Sequence, residues 1–441
     1  MSFITKVRAL SALGALLSPC AFAGYAFEAG VVKGEATLAA GVAGISARNV
    51  NFGAGRVDLR SGRNTGERAV WQEMYLKPGA TLRYEISPDL EVFGGASAVG
   101  AATFGDGDAG GYTRSSDHGL AIEAFYGGVR RGDWSFSAGR QDYKVGTGFI
   151  VMDGNLDLFD DAAYWIGPRT AFRDSALLGY SHGPLSAQAF SLRTDDDLGD
   201  FRMNGLNIDY DLVGTVNLGA MAMKVNSLVS EADRLTPREG MQVYNLRALQ
   251  AKVPFVDDLT LQGEYAVQRG AGDGVDYHAS AWYAQADYAF SSLPLQPLLS
   301  YRYAAFSGDD DPSDNRQKAW DPLSKGYVDW GTWLIGDVVG NYLLFNSNER
   351  VNQWTLRTHL TPTVKLGGMH YQFSLDEKVL NGVAVSDRRF ADENVVFVEW
   401  TPTASVYTSV AYSWVKPLAA ARETYGNDDF SAFEMFVSYR Y

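Results

Sequence analysis

The nine residues VYTSVAYSW, 406–414, alternate without a lapse. Val406, Thr408, Val410, Tyr412 and Trp414 fall on one side, and Tyr407, Ser409, Ala411 and Ser413 on the other, which is the period of a strand between two unlike surroundings. LTLQGEYAVQ, 259–268, repeats the pattern, with Leu259, Leu261, Tyr265 and Val267 opposite Thr260, Gln262, Glu264 and Gln268. FEMFVSYRY, 433–441, repeats it again, with Phe433, Met435, Val437, Tyr439 and Tyr441 opposite Glu434, Ser438 and Arg440. A soluble antiparallel sandwich alternates in the same way with its apolar face turned inward, so the period alone leaves the surroundings of that face open.

The connections decide between them. Eighteen segments read as strands, the first at 34–47 and the last at 430–441. They are joined alternately by short turns, such as SPD at 87–89, RGD at 131–133, HGP at 182–184, TPT at 361–363 and TPTA at 401–404, and by long Gly- and Asp-rich stretches. The longest of these cover 142–172 and 308–350. Short turns at one end and long loops at the other are the asymmetry of a transmembrane β-barrel with periplasmic turns and extracellular loops. Rings near strand ends, Trp71, Tyr84, Trp134, Trp354 and Trp400, are expected to form interfacial girdles. The expected fold is all-β: an antiparallel transmembrane barrel of about 18 strands, whose last strand closes on the first so that Tyr441 belongs to the ladder.

The start of the chain agrees with export. MSFITKVRALSALGALLSPCAFA has a charged beginning at Lys6 and Arg8, an apolar run from Ala9 to Leu17 and a small-x-small site at Ala21-Phe22-Ala23. Residues 1–23 are therefore expected to be a secretory signal peptide and 24–441 the barrel. The single cysteine, Cys20, lies in the leader, so no disulfide or thiolate chemistry is expected of the remainder. Losing Lys6 and Arg8 takes the formal charge of −14 to −16, which argues against a nucleic-acid partner.

Chemistry-bearing motifs are few. His118, His182, His278, His359 and His370 show no metal-ligand spacing, no GxSxG elbow is present, and no cofactor is expected. The aspartate runs 195–197 and 309–311 have oxygen ligands to offer a calcium ion, although such runs are more often solvated loop tips.

Two stretches carry a family resemblance. The first is SGDDD at 307–311 followed by WDPL at 320–323, a Trp- and Gly-rich segment and Asn348. The second is SAGRQDYKVGTGF at 137–149 followed by LFDD at 158–161. Together they resemble the outer-membrane alginate-export family. That resemblance implies an exporter-type channel in the outer membrane of a Gram-negative bacterium, passing an anionic, alginate-like polysaccharide through a lumen narrowed by arginines. It also implies a long late periplasmic turn, where this chain has only TPTA. The substrate-binding residues implied are Lys77, Arg83, Arg247, Arg302 and Arg357 on inward strand positions, and Arg140, Arg169 and Arg173 near the loop at 142–172. A guanidinium suits a carboxylate because its planar fork donates two parallel hydrogen bonds. The bland alternative is that these cations pair with inward acids such as Glu73, Glu85, Glu123, Glu264, Glu399 and Glu434. Expected partners are outer-membrane lipid, the outer-membrane assembly machinery and periplasmic polysaccharide-secretion proteins. An uptake porin for small solutes fits the same barrel.

Overall fold

The computed structural model describes residues 24–230, 236–326 and 338–441; the expected signal peptide lies outside them. Eighteen strands form one closed antiparallel ring. These are β1 Val32–Arg48, β2 Arg68–Ser87, β3 Leu90–Gly105, β4 His118–Arg131, β5 Trp134–Gln141 and β6 Phe172–His182. Next come β7 Leu185–Arg193, β8 Phe201–Leu212, β9 Val216–Ser227, β10 Met241–Lys252, β11 Leu259–Gly272 and β12 Ala279–Ala289. The ring is completed by β13 Leu298–Phe306, β14 Glu349–Thr361, β15 Val364–Leu375, β16 Arg389–Thr403, β17 Val406–Pro417 and β18 Phe430–Arg440.

Each strand pairs with its neighbours in sequence, and β18 pairs with β1 from Ser431↔Arg48 to Arg440↔Ala39. Tyr441 adds one more rung, donating to the Leu38 carbonyl at 2.8 Å and accepting from the Leu38 N–H at 2.7 Å. Beyond it the short strand Tyr25–Ala29 takes over as the neighbour of β1. Deleting Tyr441 removes both hydrogen bonds and an outward ring from the seam. The expected result is a lower yield of the heat-modifiable band and a melting point a few degrees lower, and unchanged values would count against a closing role.

The outer face is apolar where a soluble protein would be polar. Leu120 is 84% exposed, Phe125 69% and Leu246 65%, and the closed ring offers no second sheet to cover them. Trp134, Tyr84 and Trp400 stand exposed near strand ends, as a girdle requires. Trp71 does not: it points inward, 1% exposed, with Nε1 donating to Glu73 at 3.1 Å and its ring 5.6 Å from Trp165. It shares the inward parity of Glu73 and Lys77 on β2, and parity overrides position at a strand end.

The core lies inside the barrel. Residues 142–171 and much of 307–348 fold into the ring at its long-loop end, and the wall packs on them in two apolar clusters. One, around Phe149, Val151, Trp320 and Leu323, rests on β6 to β13. The other, around Trp71, Phe373, Phe390 and Phe397, rests on β14 to β18 with β1 and β2. The two loops touch through a bridge between Val151 and Ser324.

Candidate functional site

Below the infolded loops, at the short-turn end, the lumen keeps a cavity of about 610 Å³. Its floor is the inward face of β1, where Thr37, Ala39, Gly41 and Ala43 leave no side chain larger than threonine. A methyl group at Gly41 would lie 2.3 Å from the Tyr75 ring, so the ring approaches the backbone only because glycine is there. Tyr75 and Lys77 wall one side of the floor, and Phe436, Ser438 and Arg440 the other. Ala39 is in register with both Lys77 and Arg440, which places the two cations two strands apart, about 10 Å, across a small residue. Residues 165–168 of the first infolded loop, Trp165-Ile166-Gly167-Pro168, form the ceiling.

That loop crosses the lumen. Near its start, Thr147 reaches Glu264 on β11, with the N–H donating at 3.3 Å and Oγ1 at 2.5 Å. Near its end, the N–H groups of Trp165 and Ile166 both donate to Glu73 Oε2 on β2 at 3.0 Å. Strands β2 and β11 are nine apart in a ring of eighteen, so the loop spans the width of the barrel. Between them Thr170 and Ala171 donate to Glu123 Oε1 on β4 at 2.8 and 3.1 Å. Glu123 sits at a one-residue bulge, where Ser97 pairs with Ala124 and Ala98 with Ile122, so that Ile122 and Phe125 both face outward and the carboxylate swings in. Within the loop, burial pushes the carboxyls of Asp153 and Asp157 well above the usual range.

The nominated cations do not converge on one point. Lys77 lines the cavity and holds the ceiling, donating to the Pro168 carbonyl at 2.8 Å and to Glu123 at 3.1 Å. Arg169 is buried in the loop, paired with Asp161 and lying 3.5 Å from Asp195, and Arg140 lies 3.8 Å from the same Asp195 carboxylate. Arg173 pairs with Asp196. Arg247, on β10, is buried against Asp209 at 2.6 Å and Asn245 at 3.0 Å. Arg302, on β13, donates to Gln285 at 2.7 Å beneath the Tyr283 ring. Arg357, on β14, lies over the Phe397 ring, and its Nε finds no acceptor among the described residues. Arg83 has the inward parity of β2 but stands exposed near the short-turn mouth.

Of the acids named as their alternatives, Glu123 does pair with a nominated cation, Lys77, at 3.1 Å, and has Arg169 at 4.0 Å. Glu73, Glu123 and Glu264 hold the loop, Glu399 accepts from the Tyr407 hydroxyl at 3.0 Å, and Glu85 pairs with Lys33 at 2.7 Å. The aspartate runs are engaged by other groups: Asp310 with Lys318, Asp311 with Ser313, Asp195 at the start of a short turn and facing Arg140 and Arg169, and Asp197 on the Leu158 N–H of the first infolded loop. Sequence reasoning missed Tyr75, Trp165, Phe436 and the β1 floor, although the run of small residues at alternate positions of one strand was there to be seen.

Comparison with known proteins agrees with this architecture. A family model described as alginate export matches residues 177–335. The match takes in SGDDD and WDPL but not the stretch at 137–161, so it is narrower than the resemblance suggested. No curated protein matches the chain in sequence. Among solved structures the chain is similar to OccK2 (OpdF) of Pseudomonas aeruginosa, at 14% identity over 92% of this chain and 97% of that one, TM-score 0.59. It is also similar to OccAB2 of Acinetobacter baumannii, at 10% identity over 92% and 98%, TM-score 0.59. The outer membrane protein opdK of P. aeruginosa follows at 13% identity over 92% and 98%, TM-score 0.57. At these identities the likeness is one of fold, an outer-membrane porin barrel. The family match and the fold point to a channel rather than an enzyme.

Proposed function

We propose that this barrel is a passive channel of the Gram-negative outer membrane that carries an acidic saccharide, alginate-like in chemistry, past the cavity beneath its infolded loop. The observation that carries the reading is the cavity itself. Lys77 and Arg440 flank a floor of small residues, and the rings of Tyr75, Trp165 and Phe436 offer faces to a sugar ring. Two acids share the lining, Asp142, which accepts from the Thr170 hydroxyl at 2.7 Å, and the buried Glu434, so the seat is a mixed one in which Lys77 and Arg440 supply the positive side. Glu73, Glu123 and Glu264 are spent on the loop, and Arg169 and Arg140 face Asp161 and Asp195. The alginate-export match over 177–335 supports the same cargo class.

The test is block of single-channel current in planar bilayers. Oligouronates are expected to block at lower concentration than neutral oligosaccharides of equal length. Replacing both Lys77 and Arg440 by Ala is expected to weaken that block about tenfold, and added salt to weaken it further, because exposed charges are screened over about 8 Å at physiological ionic strength. Equal block by acidic and neutral sugars would remove the acidic-cargo reading.

A second reading has its own support. A cavity of about 610 Å³ is the size of a small-molecule site, and a loop spanning the lumen suits a small anionic solute better than a polymer. Uptake of monomeric acids by proteoliposomes, without passage of oligomers, would favour the uptake porin.

A further inference from the structure

The ceiling of the cavity is held by an unusual means. Residues 145–151 at the near end of the loop are set in apolar packing, with Val145, Phe149, Ile150 and Val151 each at most 4% exposed. Residues 165–171 at the far end have less of this: Trp165 and Ile166 are only partly buried against the cluster around Trp71, while Ala171 is fully buried. Their polar attachment to the wall includes two pairs of successive backbone N–H groups: Trp165 and Ile166 on Glu73, Thr170 and Ala171 on Glu123. Two successive N–H groups converging on one oxygen make the concave arrangement by which a backbone holds an anion. Each carboxylate uses its remaining capacity on the wall or the loop: Glu73 Oε1 accepts from Trp71 at 3.1 Å, and Glu123 Oε1 also takes Lys77, which in turn holds the Pro168 carbonyl. Glu73 and Glu123 are 0% and 1% exposed, and a carboxylate buried so deeply persists only while its acceptors are filled.

We propose that Glu73 and Glu123 are the positioning residues of the constriction: two wall carboxylates that clasp residues 165–171 as a lid over the cavity and so set the aperture of the channel. Gly167 and Arg169 donate within the loop, to the Ala163 carbonyl at 2.9 Å and to Asp157 at 3.3 Å, but Trp165, Ile166, Thr170 and Ala171 take their acceptors from the wall, and those four N–H groups lose their partners if the wall carboxylates are removed. Glu264, at the far side, anchors the apolar end about which the lid would move. This rests on the channel reading of the barrel but not on the identity of the cargo.

The test reads the aperture directly. The double variant E73A/E123A, reconstituted in planar bilayers, is expected to conduct potassium chloride severalfold more than the unmodified barrel and to admit larger neutral polyethylene glycols. Losing the wall acceptors of four N–H groups, each bond contributing about 1 kcal/mol, shifts the held-to-released ratio by about tenfold or more. E73Q/E123Q, which keeps one acceptor oxygen on each side chain, should lie between the two. Heat-modifiable mobility in gels confirms that the ring is closed. A folded double variant with unchanged conductance and unchanged size cut-off overturns the proposal. Should the Ala variant fail to assemble, deletion of 164–168 with both glutamates intact asks the same question, and unchanged conductance there overturns it equally. Because neither salt current nor neutral polymer entry depends on acidic cargo, a widened pore without oligouronate block would sink the cargo reading and leave the clasp standing.

Discussion

Replacing Asp321 by Ala is expected to destabilise the second infolded loop by about 3–5 kcal/mol while the ring of strands stays closed. Asp321 is the second residue of WDPL, and its carboxylate takes Arg238 in a two-point pair, Nε to Oδ2 at 2.6 Å and Nη2 to Oδ1 at 3.0 Å. The pair is deep, with side-chain exposures of 12% for Arg238 and 2% for Asp321. Arg238 also lies over the Phe201 ring, 4.4 Å from its centroid, and donates to the Leu198 carbonyl at 2.8 Å, so one guanidinium ties together three outer loops. Gln268 on β11 grips the same residue by its backbone, donating to the Asp321 carbonyl at 2.6 Å and accepting from its N–H at 3.1 Å. Removing the carboxylate strands a buried cation, which costs far more than the pair contributes when whole. Asn in its place keeps one acceptor and should cost less. Limited proteolysis within 307–326, with the barrel band still heat-modifiable, is the measurement; a D321A loop as resistant as the original would show that apolar packing alone holds it.

The ring of strands was legible because lipid imposes a rule on every strand at once. An outer face that must be apolar writes period two from β1 to β18, and the alternation of short and long connections survives any local ambiguity. All eighteen expected segments are strands in the structure, and the expected turn TPTA is as short as read. Trp71 shows how the reading fails. Nearness to a strand end suggests the girdle, but its parity with the inward Lys77 puts it inside. The bulge at Glu123 is a subtler case, since the parity switch between Ile122 and Phe125 is visible only once both are known to face outward.

The site was less legible for a physical reason. Inward parity identifies a charged residue as inside but does not name its partner. Arg238 meets Asp321 across 83 positions, and Arg140 meets Asp195 from a different loop. The acids were harder still. Glu73, Glu123 and Glu264 each accept from backbone N–H groups of the loop, which every residue but proline carries and which therefore leave no mark in a sequence. Their side-chain type suggests pairing with cations, which Glu123 does with Lys77, but the geometry adds loop backbone to all three.

Ala39→Trp separates shape from charge at the cavity, and is expected to abolish oligouronate block within the measurable range while leaving Lys77 and Arg440 in place. Ala39 lies between the two cations on the inward face of β1, in register with both. An indole there rises from the floor toward Trp165 and occupies the space a sugar ring would need. It replaces no hydrogen bond and no charge, and it enters an open cavity, so the ring of strands should assemble normally. If the two cations act only as a diffuse positive field, A39W will block like the unmodified barrel, because the field is unaltered and reaches about 8 Å at physiological ionic strength. If the cavity seats a ring between aromatic walls, the field remains but the seat is gone, and affinity falls by well over tenfold, the size expected when a buried contact surface is lost rather than a screened charge. Ala39→Ser, which hardly changes the floor, should leave block as it was. The comparison of A39W with the Lys77 and Arg440 pair of substitutions then tells whether the barrel recognises its solute as a charge passing by or as a ring that stops.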